Sequence, residues 1–156
     1  MANKLRRFFS PPVQDWTLFG LWALAICILS SMSAQDLSDV PEGLLHQDKV
    51  NHAIAFAAGS LLLARALHRN TRLRGLRLFF AAVGGIALFG ACDELHQLFT
   101  PGRSGGDIYD WAADVTGGTI AATLFVIFYG RPRSERTDFS GSPGANLGAT
   151  RGNREA

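Results

Sequence analysis

A chain of 156 residues, 47% hydrophobic and only 18% charged, holds one domain and is too apolar in its blocks to be an extended charged module. Its net charge of +2 comes from arginines that stop at the ends of apolar runs, which excludes nucleic acid as the partner these residues serve. Cys27 and Cys92 both lie inside apolar runs, so a disulfide framework and a Cys-x-x-Cys metal site are excluded; they read as small packing residues.

Residues 1–15, MANKLRRFFSPPVQD, form a basic leader in which Pro11 and Pro12 separate Phe8 and Phe9 from the first apolar run. The first predicted span runs from Trp16 to Ala34 without a charge. Its basic approach and Ser31 and Ser33 near its end also fit a signal peptide, but the apolar part is long for one and carries Trp16 and Trp22, so it is read as a span. Residues 35–48 make an outer loop with Asp36, Asp39, Glu42 and Asp48. The second span covers Lys49 to Leu67, and the short link HRNTRLRGLR returns the chain antiparallel into a third span, Leu78 to Phe99. A Pro- and Gly-marked loop, TPGRSGGDIY, leads to the fourth span, Asp110 to Tyr129. Residues 130–156 are polar and Gly/Ser-rich, and are read as a disordered cytoplasmic tail.

A soluble helix of this length shows a polar stripe. The stretches Ala53–Ala64, Leu78–Cys92 and Thr119–Phe128 carry no charge on any face. About 20 residues of helix cross a hydrocarbon core of roughly 30 Å. Every basic residue except Lys49 and Arg103 falls on one side of the spans, which puts both termini in the cytoplasm. The expected fold is therefore all-α: an integral membrane bundle of four transmembrane helices occupying residues 16–129. Gly84-Gly85 and Gly117-Gly118 are expected to let these helices approach closely.

The polar residues break this pattern at one end only. Residues three or four apart share a helical face. That relation joins Asp48 and Lys49 to His52, Asp93 and Glu94 to Gln97, Asp107 to Asp110, and Asp110 to Asp114. The second span starts, the third ends and the fourth starts on the outer side, so all these groups meet there. His52, Asp93, Glu94 and Asp114 lie about one turn inside the apolar zone. A lipid-facing charge costs at least about 2.5 kcal/mol at mid-membrane and less near the interface. These four should face inward. Simpler roles exist for the rim: Asp48 and Asp110 as helix N-caps, Lys49 snorkelling to the interface, Arg103 neutralising acids, Trp111 in an aromatic belt and His96 at the interface.

The stretches DKVNHAIAF (Asp48 to Phe56) and DELHQLFTPGRSGGDIYDWAADVTGG (Asp93 to Gly118) resemble the VanZ-like family of small bacterial membrane proteins. Asp114 departs from the asparagine that family often carries. The resemblance implies a multi-pass protein of the bacterial cytoplasmic (inner) membrane with a cell-envelope role. The family's founding member is linked to low-level resistance to the glycopeptide teicoplanin.

Several functions remain open from the residues. An outer-facing pocket could bind an envelope precursor, a lipid-linked phosphate or sugar, or a glycopeptide-type ligand. Asp48, Lys49, Gln97, Arg103, Asp107 and Asp110 would contact it. Alternatively Glu94 acts as a general base with Asp93, His52 and Asp114 as catalytic partners. A small transporter or a purely structural polar network are the other readings. A divalent cation could sit among Asp93, Glu94, Asp107, Asp110 and Asp114, although DELHQ is not a zinc motif and nothing in the sequence requires a metal. Membrane lipid and a second copy of the chain are the remaining expected partners.

Overall fold

The computed structural model describes residues 11–33, 35, 48–103 and 105–129. The outer-loop acids Asp36, Asp39 and Glu42, the basic residues of the leader and the tail 130–156 lie outside the described residues, as does the side chain of Asp48. Among the described residues four helices succeed one another in order: α1 (Pro11–Ser31), α2 (Asp48–Asn70), α3 (Gly75–Gln97) and α4 (Ile108–Tyr129). No strand occurs among the described residues. Each helix is long and apolar enough to cross a membrane.

The helices outrun the apolar blocks. α1 begins at Pro11, not Trp16, and ends at Ser31, not Ala34. Proline suits a first helical turn because the N–H it lacks would have no helical partner there, so Pro11 and Pro12 start the helix instead of fencing it off. α2 continues past Leu67 to Asn70, and α3 starts at Gly75, before Leu78. Apolarity marks the thickness of lipid, whereas a helix ends where its backbone ladder stops. Thr71 and Asn70 bond the carbonyls of Leu67 and Ala66 and close α2 in this way.

α2 is the hub. Its most extensive contact is with α4, and it also touches α1 and α3. The link 71–74 folds α3 back against α2. Where α4 crosses α2, Gly117 lies against the main chain at Ala53, so close that any Cβ would overlap the Ala53 carbonyl. Ser60 Oγ donates across the same contact to the Gly118 carbonyl at 2.8 Å. Farther along, Ala64, Ala82 and Ala122 meet in a small-residue seam. Such surfaces suit lipid, where association depends on close packing and interhelical hydrogen bonds. The larger core side chains are Ile26, Phe56, Leu63 and Ile86, with Phe19, Trp22 and Phe89 packed on them. Trp22 also donates its indole N–H to the Ala55 carbonyl at 3.0 Å, tying α1 to α2.

The outside is as apolar as the inside. Phe80 and Leu88 are 66% and 68% exposed, which a soluble bundle would not tolerate along all its helices. Cys27 and Cys92 belong to this perimeter: both are exposed, not packed as their apolar surroundings in the sequence suggested. Gly84 also faces outward with no atom near its open side, so of its pair only Gly85 meets a neighbour, the Leu63 side chain.

The buried ionisable groups sit at the two ends. Asp15, which by sequence belongs to the leader, is 1% exposed inside α1. Its carboxylate accepts a hydrogen bond from Arg65 Nε at 3.0 Å and forms an ion pair with Arg69 Nε at 3.3 Å. These arginines are one turn apart on α2, so the cluster pins the first turns of α1 to the last turns of α2. The other end holds the remaining acids of the described residues.

Candidate functional site

Three helices deliver side chains to one spot. His52 comes from the second turn of α2, Glu94 from the last turn of α3 and Asp114 from the second turn of α4. One ligand-type atom from each lies within 4.8 Å of the other two. His52 Nδ1 and Asp114 Oδ1 are 2.9 Å apart, with Asp114 fully buried. The contact between Gly117 and Ala53 lies one turn along α4 from Asp114 and next to His52, so helix packing sets this distance. The second oxygens of the two acids, Glu94 Oε1 and Asp114 Oδ2, are buried without a hydrogen-bond partner.

Around this centre the acids have separate tasks. Asp93 accepts a hydrogen bond from Gln97 Nε2 at 3.0 Å, and Gln97 Oε1 accepts one from Arg103 Nη2 at 3.0 Å. This relay holds the loop arginine over the end of α3. Lys49 bridges α2 to α4 through Asp110 at 2.5 Å and Asp107 at 3.4 Å. The N-cap of α4 is Asp107, not Asp110: its Oδ1 accepts the Tyr109 N–H at 2.8 Å, and its carbonyl accepts the N–H groups of Asp110 and Trp111. In an ordinary capping box an acid three residues into the helix returns to the N–H of the cap residue. Here Asp110 holds that place but turns to Lys49, and Glu94 of α3 accepts the Asp107 N–H instead, through Oε2 at 2.9 Å. Glu94 thus caps a helix other than its own. Gly102 and Gly106, at φ of 73° and 78°, make the left-handed turns that bring the loop back to α3 for this contact.

The Tyr109 N–H, aided by Lys49, holds the Asp107 carboxyl below the usual aspartate range. A depressed folded pKa means stability is present above the ordinary aspartate value of about 3.9 and is lost as pH falls through the lower folded one. Asp107→Ala is expected to lower stability by removing the cap, and Asp107→Asn by much less because an amide oxygen still caps. Thermal melts of the three proteins between about pH 3 and 7 check this. The gap between wild type and the alanine form should close at the acid end.

Two clefts flank the cluster. One, of about 170 Å³, lies between α1, α2 and the end of α3; Ile26, Leu29 and Phe56 line its apolar wall, and His52, Asp93 and Arg103 its polar wall. The other, of about 340 Å³, lies between α3 and α4 and is lined by Glu94, Asp107 and Trp111 with apolar neighbours. Ser30 and Asn51, which also line the first cleft, were not among the residues singled out by sequence. Asn51 stands inside the stretch DKVNH and could have been found there. α1 carried no signal, because its links are backbone and hydroxyl contacts: Thr100 Oγ1 donates to the Ser30 carbonyl at 3.1 Å, and Ser31 Oγ pairs with His96 Nε2 at 3.0 Å. His96 is therefore a helix link. Trp111 is half-buried, with its indole N–H on the Ala87 carbonyl at 2.9 Å, and so ties α4 to α3.

Four lipid-length helices with an apolar perimeter and a buried polar cluster at one end define a multi-pass membrane protein. The VanZ/LLP1 family model matches residues 16–129, and the chain belongs to that family. No curated protein and no solved structure matches it.

Proposed function

We propose that this protein sits in the bacterial cytoplasmic membrane with both termini inside, and that its outer end binds the anionic head of a lipid-linked envelope precursor. The observation that carries the reading is the mixed cleft beside His52. An apolar wall from α1 and α2 runs into Arg103, which is half-buried and held in place by the Gln97–Asp93 relay. A guanidinium has five N–H donors, and Gln97 occupies one, which leaves a fork suited to a phosphate. The apolar wall suits a lipid chain. The orientation rests on the arginines of α2, the link and α3, which stand at the opposite end of the bundle, and on the positive-inside rule.

Arg103→Ala is expected to weaken binding of a polyprenyl phosphate by about 10- to 100-fold, the worth of one charge-assisted hydrogen-bonded contact, while Arg103→Lys recovers part of it. Native mass spectrometry of the purified chain with titrated polyprenyl phosphate measures this. Equal binding by wild type and Arg103→Ala sinks the reading. Conversion of the lipid in the same mixture, lost in Glu94→Gln, would instead make the site an enzyme with Glu94 as its base.

A further inference from the structure

We propose that His52, Glu94 and Asp114 hold one divalent cation of the first transition row, such as Mn²⁺ or Zn²⁺. This goes beyond the head-group reading and needs no ligand in the neighbouring cleft.

Three observations carry it. The first is convergence: an imidazole nitrogen and two carboxylate oxygens lie within 4.8 Å of one another. Bonds of about 2.1 Å put the ligand atoms of a tetrahedral site roughly 3.4 Å apart, so small side-chain rotations close this set on an ion. The second is the pair of orphan oxygens. Asp114 is 0% exposed and Glu94 6%, and each keeps one buried oxygen, Oδ2 and Oε1, with no hydrogen-bond partner. Their other oxygens are committed to His52 and to the Asp107 N–H. A buried carboxylate oxygen with nothing to accept is costly, and a cation relieves two of them at once. The space beside Asp114 Oδ2 is kept by Gly90, where a Cβ would stand 2.9 Å from that oxygen.

The third observation is charge. Lys49 is taken by Asp107 and Asp110, and Arg103 bonds the neutral amide of Gln97. Among the described residues no lysine or arginine pairs with Asp93, Glu94 or Asp114. A cation placed at the cluster supplies the missing positive charge where the dielectric is low. One imidazole with two carboxylates suits Mn²⁺, Fe²⁺, Co²⁺ or Zn²⁺, whereas Mg²⁺ and Ca²⁺ favour oxygen alone. The competing occupants are a water molecule or a proton on one acid, and neither gives a metal signal.

The test uses the untagged full chain in detergent, carrying Cys27→Ser and Cys92→Ser to remove thiol ligands, stripped with chelator and titrated with Mn²⁺ alone. The proposal expects one bound ion per chain and a raised melting temperature. It also expects at least about a tenfold loss of affinity in Glu94→Gln, a factor worth about 1.4 kcal/mol. Glu94→Gln keeps an oxygen for the Asp107 N–H, which favours its folding. Should it fail to fold, pulsed EPR on the Mn²⁺-loaded parent chain decides: a nitrogen coupling from His52 is expected. Absence of stoichiometric Mn²⁺ binding, unchanged affinity in folded Glu94→Gln, or bound Mn²⁺ without nitrogen coupling each overturns the site. Because no lipid is present, none of these results bears on head-group binding.

Discussion

Replacing Gly117 with alanine lowers the stability of the bundle by about 3 kcal/mol, the upper end of what one inserted methyl costs in a packed contact. The added carbon falls on the Ala53 carbonyl, which is backbone and cannot rotate aside. α2 and α4 must separate, and their contact is the most extensive in the molecule. The separation occurs one turn from Asp114 and beside His52, so the 2.9 Å pairing of those two side chains is lost with it. The same change at Gly84 meets nothing and should be neutral or slightly stabilising, since alanine is the better helix former by about 1 kcal/mol. Equilibrium unfolding of both variants in detergent checks the contrast. Equal effects at the two glycines would mean that the close crossing of α2 and α4 is not what holds the bundle.

The second large effect is a double-mutant cycle across His52 and Asp114. Asp114→Leu leaves His52 without the acid that fixes it, and His52→Leu leaves a fully buried carboxylate alone. Breaking a buried pair from one side costs about 3–5 kcal/mol. The Asp114 variant should fall at the lower end, because the His52 side chain is 13% exposed and reaches water. His52→Leu should be the worse of the two. The double variant, with leucine at both positions, should recover much of the loss, because no polar atom of the pair is left stranded. Unfolding measured in chelator isolates the pair itself, and a coupling above about 1.5 kcal/mol is expected. If the double variant recovers stability but no longer binds ligand or metal, the pair exists for function. Additive losses would show that the two side chains act separately.

Much of this was legible in the chain. The spans are marked by apolar runs without a polar stripe, and the polar end by the helical spacing of Asp93 with Gln97 and of Asp110 with Asp114. The turn-by-turn boundaries were less legible, because lipid thickness and helix length are different quantities: Pro11, Asn70 and Gly75 lie in helices though they stand outside the apolar blocks. Asp15 was misplaced for the same reason. It is the one acid of residues 1–15, and only the bundle shows that Arg65 and Arg69 enclose it.

The order of residues by itself determined four lipid-length helices and a gathering of acids where the second starts, the third ends and the fourth starts, because burial in hydrocarbon and the 3.6-residue turn act locally along the chain. Tertiary structure alone decided which acid does what. Glu94 caps α4, Asp110 takes Lys49, Asp114 takes His52, and two oxygens are left over. Those assignments depend on how deep each helix sits and how it is rotated, and both are set by contacts such as Gly117 on Ala53 between residues far apart in sequence.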